Sequence, residues 1–273
     1  MTPLRTALYQ GPGGVPASTA DSLAALGRAA RRAADAGARL LVTPELSLTG
    51  YALGSAVPEL AEPADGPGAQ AVAQIAAEHS LAIAYGYPER DGAAVYNSAQ
   101  LIGPHGTRLA NYRKTHLFGE FEAAHFRAGQ DPIVQTELDG VRLGLLICYD
   151  VEFPETVRAH ALAGTELLLV PTALMRPYEF VPQTLLPTRA WESQLYIAYA
   201  NRYGPEGEFT FAGLSCLAAP DGTVRTRAGT GEDLVIADAD PAFLAASRAG
   251  NTYLTDRRPE LYSPLPPQGE PRR

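Results

Sequence analysis

Basic charge is scarce in this chain. Twenty-two Lys and Arg stand against 30 Asp and Glu in 273 residues, a formal charge of -8 with a pI near 5.2. That balance excludes general affinity for phosphate backbones, because nucleic-acid binding needs a basic face that displaces counterions. Small molecules or proteins are the partners to expect. Cysteine is scarcer still: Cys148 and Cys216 are the two in the chain, too few for a disulfide framework, and free thiols suit a reducing compartment. No stretch approaches the roughly 18 uninterrupted apolar residues of a membrane span. The opening MTPLRTALYQGPGG also lacks a basic segment followed by an apolar leader core. The expectation is a soluble, cytoplasmic protein without membrane contact.

What the chain has is apolar material, 46% of its residues, enough for a substantial core. Short aliphatic runs alternate with longer alanine-rich amphipathic segments, the rhythm of an α/β domain. RTALYQ reads as a strand, and residues 19–37 as a helix with Thr19 or Asp21 near its start and Gly37 near its end. RLLVTPE is then a strand that delivers Glu45 to its carboxyl end. A helix over Gly68 to Ser80 precedes the strand LAIAYGYPE, and VYNSAQLIGPHGTRLANYRK reads as two strands turning at Gly103–Gly106 and leading into Lys114. VRLGLLIC, ELLLVPTA and YIAYANR are further strands; FPETVRAHALAGT and LPTRAWESQL are helices between them. A last hairpin turns at Pro220-Asp221-Gly222. With no repeat and no linker, residues 1–273 read as one domain with an extended, proline-rich tail at 257–273.

In α/β folds, reactive side chains gather where strands end. Three such positions stand out: Glu45 in TPELSLTGY, Lys114 in YRKTHLFGEFE and Cys148 in LLICYDVEFPE. A thiol acts as a nucleophile when a cation, a helix N-terminus or a base favours its thiolate. Lys114 can supply the charge and Glu45 the base. A helix beginning near Phe153 presents free N–H groups to a developing oxyanion, that of Tyr149 being best placed. Taken singly, a cysteine ending an apolar run is more often a small buried hydrophobe, and a lone Glu or Lys a solvated charge.

Together and in this order, the three motifs resemble those of the nitrilase superfamily, carbon-nitrogen hydrolases with a Glu-Lys-Cys triad. The similarity extends through LLLVPTA, RAWESQLYIAYANR and RRPELY. The resemblance implies a four-layer α-β-β-α sandwich that dimerises to α-β-β-α-α-β-β-α. It implies Cys148 as nucleophile, Glu45 as alternating base and acid, and Lys114 with the Tyr149 N–H as oxyanion donors, on a small amide and without a metal or other cofactor. The resemblance also implies a second carboxylate beyond the lysine, Glu122, whose eight-residue step from Lys114 is similar to the aliphatic-amidase arrangement, with Glu120 the alternative. Leu46, Phe118, Tyr149, Ala173 and Met175 are placed to line an acyl pocket, though each could be ordinary core. Tyr-Asp after the cysteine favours amides over nitriles, and N-carbamoyl compounds stay open.

Other readings are weaker. A Cys-His hydrolase would draw its partner from His79, His105, His116, His125 or His160, none in a fitting context; His116 is better read as bracing the lysine loop. A metal set of His116, His125, Asp150 and Cys148 lacks a short-spacing ligand pair. A redox thiol protein or inactive scaffold would not need all three triad residue types. GPGGVP lacks the Gly-Lys-Ser/Thr of a phosphate loop and reads as a turn, and Cys216 as packing.

Overall fold

The computed structural model describes residues 2–262, so residues 263–273 of the expected tail lie outside the described residues. Its earlier part is not fully extended: Pro259–Leu261 form a short 3-10 turn. Two six-stranded sheets make the framework. The first contains β1 (Leu4–Tyr9), β2 (Leu40–Val42), β3 (Ala82–Asp91), β4 (Ala94–Ile102) and β5 (Arg108–Arg113), with β14 (Leu234–Ala239) at the far edge, in the order β14-β1-β2-β3-β4-β5. The second contains β6 (Gln135–Leu138), β7 (Val141–Leu145), β8 (Leu167–Pro171), β9 (Tyr196–Ala200), β12 (Cys216–Ala218) and β13 (Val224–Arg227), in the order β13-β12-β9-β8-β7-β6. A separate hairpin, β10 (Tyr203–Glu206) with β11 (Phe209–Ala212), stands beside them.

Each sheet has three central parallel strands, β1-β2-β3 and β7-β8-β9, flanked by antiparallel ones. Parallel neighbours need crossovers long enough to return the chain, and helices supply them. These are α1 (Thr19–Asp35), α2 (Val57–Leu60) and α3 (Pro67–His79) in the first half. After α4 (Gly119–His125), α5 (Pro154–Leu162) and α6 (Leu186–Ser193) serve the second, and α7 (Pro241–Gly250) follows β14. The helix expected from Thr19 or Asp21 is capped by Ser18, whose side chain accepts the Asp21 N–H.

Strand periodicity sorts the core into layers. Leu4 and Leu8 of β1, with Leu40 and Val42 of β2, face the second sheet's Leu143, Leu145, Leu167 and Leu169. Ala7, Tyr9 and Leu41 point the other way, onto Leu26, Ala29 and Ala33 of α1 and Val72 and Ala76 of α3. Val157 and Ala161 of α5 and Leu186 and Ala190 of α6 cover the second sheet. The result is the expected α-β-β-α sandwich. Among the described residues no helix is long and apolar enough to cross a membrane.

Candidate active site

The site is built where the central and edge strands of both sheets end. After β2 the chain turns sharply through Pro44, Glu45 and Leu46, with Leu46 at φ 49. A leucine in the left-handed region is strained and needs its surroundings to hold it. Arg202, buried, does so: Nε donates to the Glu45 carbonyl at 3.0 Å and Nη2 to the Leu46 carbonyl at 2.6 Å. Its Nη1 pairs with Glu206 at 3.0 Å, and Glu206 in turn accepts the N–H groups of Tyr51 and Ala52. Gly86 of β3 lets this turn sit directly on the sheet, since an added Cβ would run into Leu46 N and the Glu45 carbonyl carbon.

Lys114 follows β5 and Cys148 follows β7, and one buried carboxylate ties their loops together. Asp150 accepts from Tyr112 Oη (2.8 Å), Thr115 Oγ1 (2.9 Å), the His116 main-chain N–H (2.9 Å) and the Ile147 N–H (3.1 Å). His116 Nδ1 lies 2.9 Å from Asp150, and its ring stacks on Phe153 at 4.1 Å, so it joins the lysine loop to the cysteine loop. Cys148 sits at φ 45, the second strained non-glycine turn of the site. It opens a 3-10 turn, Cys148–Glu152. The helix expected from Phe153 is α5, from Pro154, so Tyr149 belongs to this turn and not to α5. The turn's first bond runs from the Asp150 N–H to the Ile147 carbonyl, which leaves the N–H groups of Cys148 and Tyr149 ahead of the ladder.

The lysine ammonium joins two carboxylates, all three fully buried. Lys114 Nζ lies 2.7 Å from Glu45 Oε1 and 2.6 Å from Glu122 Oε1. Asn97 Nδ2 adds a donor to Glu45 Oε1 at 2.6 Å, while Tyr51 Oη (2.8 Å) and the Phe118 N–H (2.8 Å) hold Glu122. Glu45 Oε2 has no partner among the described residues. Glu120 is exposed at the start of α4, so of the two candidates Glu122 is the one brought to the lysine. Burial pushes the Glu45 carboxyl from its ordinary 4.5 up to about 7, with the Lys114 charge opposing. Burial also draws Lys114 down, but the Glu122 and Glu45 carboxylates outweigh it and hold the ammonium well above its usual range. Burial and the Glu45 charge push the Cys148 thiol up, while Lys114 and the Ala173 N–H pull toward thiolate. The arrangement therefore rests as a neutral thiol beside a carboxylate poised near neutrality and a permanent cation.

Cys148 opens onto a cavity of about 230 Å³ walled by Tyr51, Phe118, Tyr149, Glu152, Ala173, Leu174, Met175 and Tyr178. Four of the five residues expected to line a pocket do so. Leu46 does not: the strained turn buries it completely among Tyr51, Val57, Phe126 and Phe211, beneath the site. An outer vestibule shares Tyr51, Phe118 and Met175 and adds Glu120, Phe121, Glu208 and Phe209. A further cavity, about 280 Å³, lies behind Pro44 and Ser47 against α1 and shares no wall with that of Cys148. His116, His125, Asp150 and Cys148 do not come together as a metal-ligating group among the described residues. Sequence reasoning missed Asn97, Tyr51, Asp150 as a brace, and Arg202 with Glu206. Tyr51 and Asp150 lie inside the quoted motifs, and Arg202 ends the strand run YIAYANR. The strongest unused signal is that Lys114 is the chain's one lysine.

With this geometry in place, the family model of carbon-nitrogen hydrolases matches residues 5–249, and the chain belongs to that family. It is an enzyme of the amidase type within the nitrilase superfamily. An amidase from Nesterenkonia sp. AN1 of known structure is 37% identical, with a TM-score of 0.86 over 94% of this chain and 98% of that one. Variants of that amidase hold acrylamide or butyramide. A hydrolase of the pqqF 5' region of Pseudomonas protegens is 52% identical over 96% of this chain and 92% of its own length. An (R)-stereoselective amidase of a Pseudomonas species is 39% identical over 80% and 79%.

Proposed function

We propose that this chain, read as one hydrolase domain over 1–273, converts a small carboxamide to a carboxylic acid and ammonia through a thioester on Cys148. Glu45 takes the thiol proton as sulfur attacks the amide carbonyl, then delivers it to the departing nitrogen, so that ammonia leaves and the acyl group stays on sulfur. Lys114 and the Tyr149 N–H hold the oxyanion of the tetrahedral intermediate. Water then attacks the thioester, giving its proton to Glu45, and the acid departs with the thiol restored. Glu122 keeps the ammonium in place and charged. One observation carries the reading: a buried lysine is fixed between two carboxylates, one of which keeps a free oxygen and acts electrostatically on Cys148. The relative's acrylamide and butyramide complexes support amides over nitriles.

Rapid quench of a reaction with a small amide, followed by intact-mass measurement, is expected to show an acyl adduct that Cys148→Ala lacks. An adduct that persists in that variant refutes the assignment. Ammonia release across amides, nitriles and N-carbamoyl amino acids ranks the substrate classes, with amides expected first. The same reading includes pairing of two copies. Leu162 on α5 and Trp191 on α6 are exposed apolar residues on the layer covering the second sheet. Light scattering at micromolar concentration is expected to give the dimer mass.

A further inference from the structure

Away from the catalytic triad, one charged side chain walls the catalytic cavity, the carboxylate of Glu152. Glu152 closes the 3-10 turn that Cys148 opens, lines the cavity and is only partly buried. Among the described residues its carboxylate receives no hydrogen bond and no ion pair. Arg189, which reaches this residue, donates Nη2 to its main-chain carbonyl at 2.8 Å and gives Nη1 to Glu192 at 2.8 Å, leaving the carboxylate unmatched. The vestibule outside adds Glu120 and Glu208 and no Lys, Arg or His. Arg176, next along the chain from Met175, is paired with Glu179 at 3.7 Å.

The remaining walls are Ala173, Leu174 and Met175 and four aromatic rings, Tyr51, Phe118, Tyr149 and Tyr178. Phe118 packs edge-on to Tyr149 at 5.2 Å and to Tyr178 at 6.4 Å, and ring faces attract cations more than anions. Burial raises the Glu152 carboxyl from its ordinary value against the pull of Lys114 and Arg189, so a group of opposite charge placed beside it would recover interactions that desolvation has removed. A substrate carboxylate in the same place would meet the Glu152 charge, with no Lys, Arg or His among the residues that wall the cavity.

We infer that the acyl part of the substrate carries an ammonium group seated on Glu152, and that ω-amides of dicarboxylic acids are rejected. This rests on the amidase reading and names the substrate class of the same site. The vestibule carboxylates would concentrate such cations at the entrance.

The test compares kcat/KM for three primary amides of similar size: 4-aminobutanamide, pentanamide and succinamate. In the wild type, 4-aminobutanamide is expected to exceed pentanamide about tenfold, the scale of one charge-assisted hydrogen bond, and succinamate to fall below pentanamide by about as much. Glu152→Gln should bring the ratio of the first two to within about twofold; a ratio cancels any general loss of activity in the variant. Glu152→Lys should raise succinamate relative to pentanamide. Succinamate matching or exceeding pentanamide in the wild type, or a cation preference unchanged in Glu152→Gln, overturns the inference. A wild type that hydrolyses pentanamide without preferring the cation refutes this inference alone. One that hydrolyses none of the three and forms no acyl adduct refutes the amidase reading with it.

Discussion

Cys216 lies within a strand of the second sheet and Cys148 just past the end of another; both are nearly inaccessible, yet they occupy opposite environments. Cys216 lies within β12, paired on both sides, with its sulfur 4.0 Å from the Pro182 carbonyl; burial pushes its thiol up to about 12, with the Arg227 charge opposing. Cys148 stands beyond the end of β7, in a strained turn, with Lys114, Glu45 and the Ala173 N–H acting on its sulfur. Burial treats the two alike. The difference lies in what faces them: a strand interior surrounds a thiol with satisfied backbone and hydrocarbon, whereas a strand end exposes it to loops that carry charge.

The largest effect expected from breaking this contrast is Cys148→Ala, which should lower kcat/KM on the order of 10⁴-fold or more, as loss of a nucleophile does. In the native wild type, iodoacetamide should add one label, at Cys148, with Cys216 reacting only after unfolding. Two labels added at equal rates to the folded protein would remove the distinction.

Lys114→Met comes next. It removes the cation from between two buried carboxylates, and activity is expected to fall on the order of 10³-fold with the oxyanion contact. Stability should fall by about 3–5 kcal/mol, because uncompensated buried charge remains. The carboxylates can relieve this by taking up protons, so the loss in chemical denaturation should shrink as pH is lowered. A loss independent of pH would mean that the ion group is not coupled as drawn.

pH separates the two thiols again. Below about 7 the Glu45 carboxyl holds its proton and cannot accept that of Cys148, so kcat/KM should fall about tenfold per unit on the acid side. The stability linkage runs the other way. A carboxyl raised above its ordinary 4.5 favours the fold at low pH, and that contribution is lost as pH rises from 4.5 through about 7. Glu45→Gln should abolish both trends, leaving the alkylation of Cys148 without an inflection near 7.

Arg202→Lys should act on the site without touching substrate. A lysine cannot reproduce the fork that holds the Glu45 and Leu46 carbonyls and Glu206 together. The expected result is a fall in kcat of roughly 10–100-fold with little change in KM, as for a misplaced base. A change in KM alone would assign Arg202 to binding.

How much of this could be read from the chain follows from the range of each interaction. The alternation of strands and helices is local, and so are the positions of Glu45, Lys114 and Cys148 past their strands; the quoted motifs carry both. Strands whose apolar pattern is short or broken escaped: β10 carries Gly204, Pro205 and Glu206, β11 is the four residues FTFA, and β14 ends in ADA. The braces escaped for another reason. Arg202 lies 157 residues from Glu45, and Asn97 lies 52, so nothing in their own neighbourhoods shows what they hold. Leu46 was misplaced because following the base in sequence says nothing about which way a left-handed turn aims the next side chain.

The smallest effect expected is at Cys216, and it completes the comparison. Cys216→Ala removes one sulfur from a packed strand between β9 and β13, and a cavity of that size costs about 1 kcal/mol. Cys216→Ser keeps the volume but buries a hydroxyl, and the one acceptor near the sulfur is the Pro182 carbonyl at 4.0 Å, too far for an O–H bond; the loss should be larger, about 1–3 kcal/mol. Both should leave kcat and its pH dependence unchanged. In Cys148→Ser the same conversion of thiol to hydroxyl meets Glu45 and Lys114 in place of hydrocarbon, and it should reverse the pattern, with little change in thermal midpoint and nearly all activity lost. A Cys216 variant that altered the pH profile would show that the two thiols communicate through the sheet.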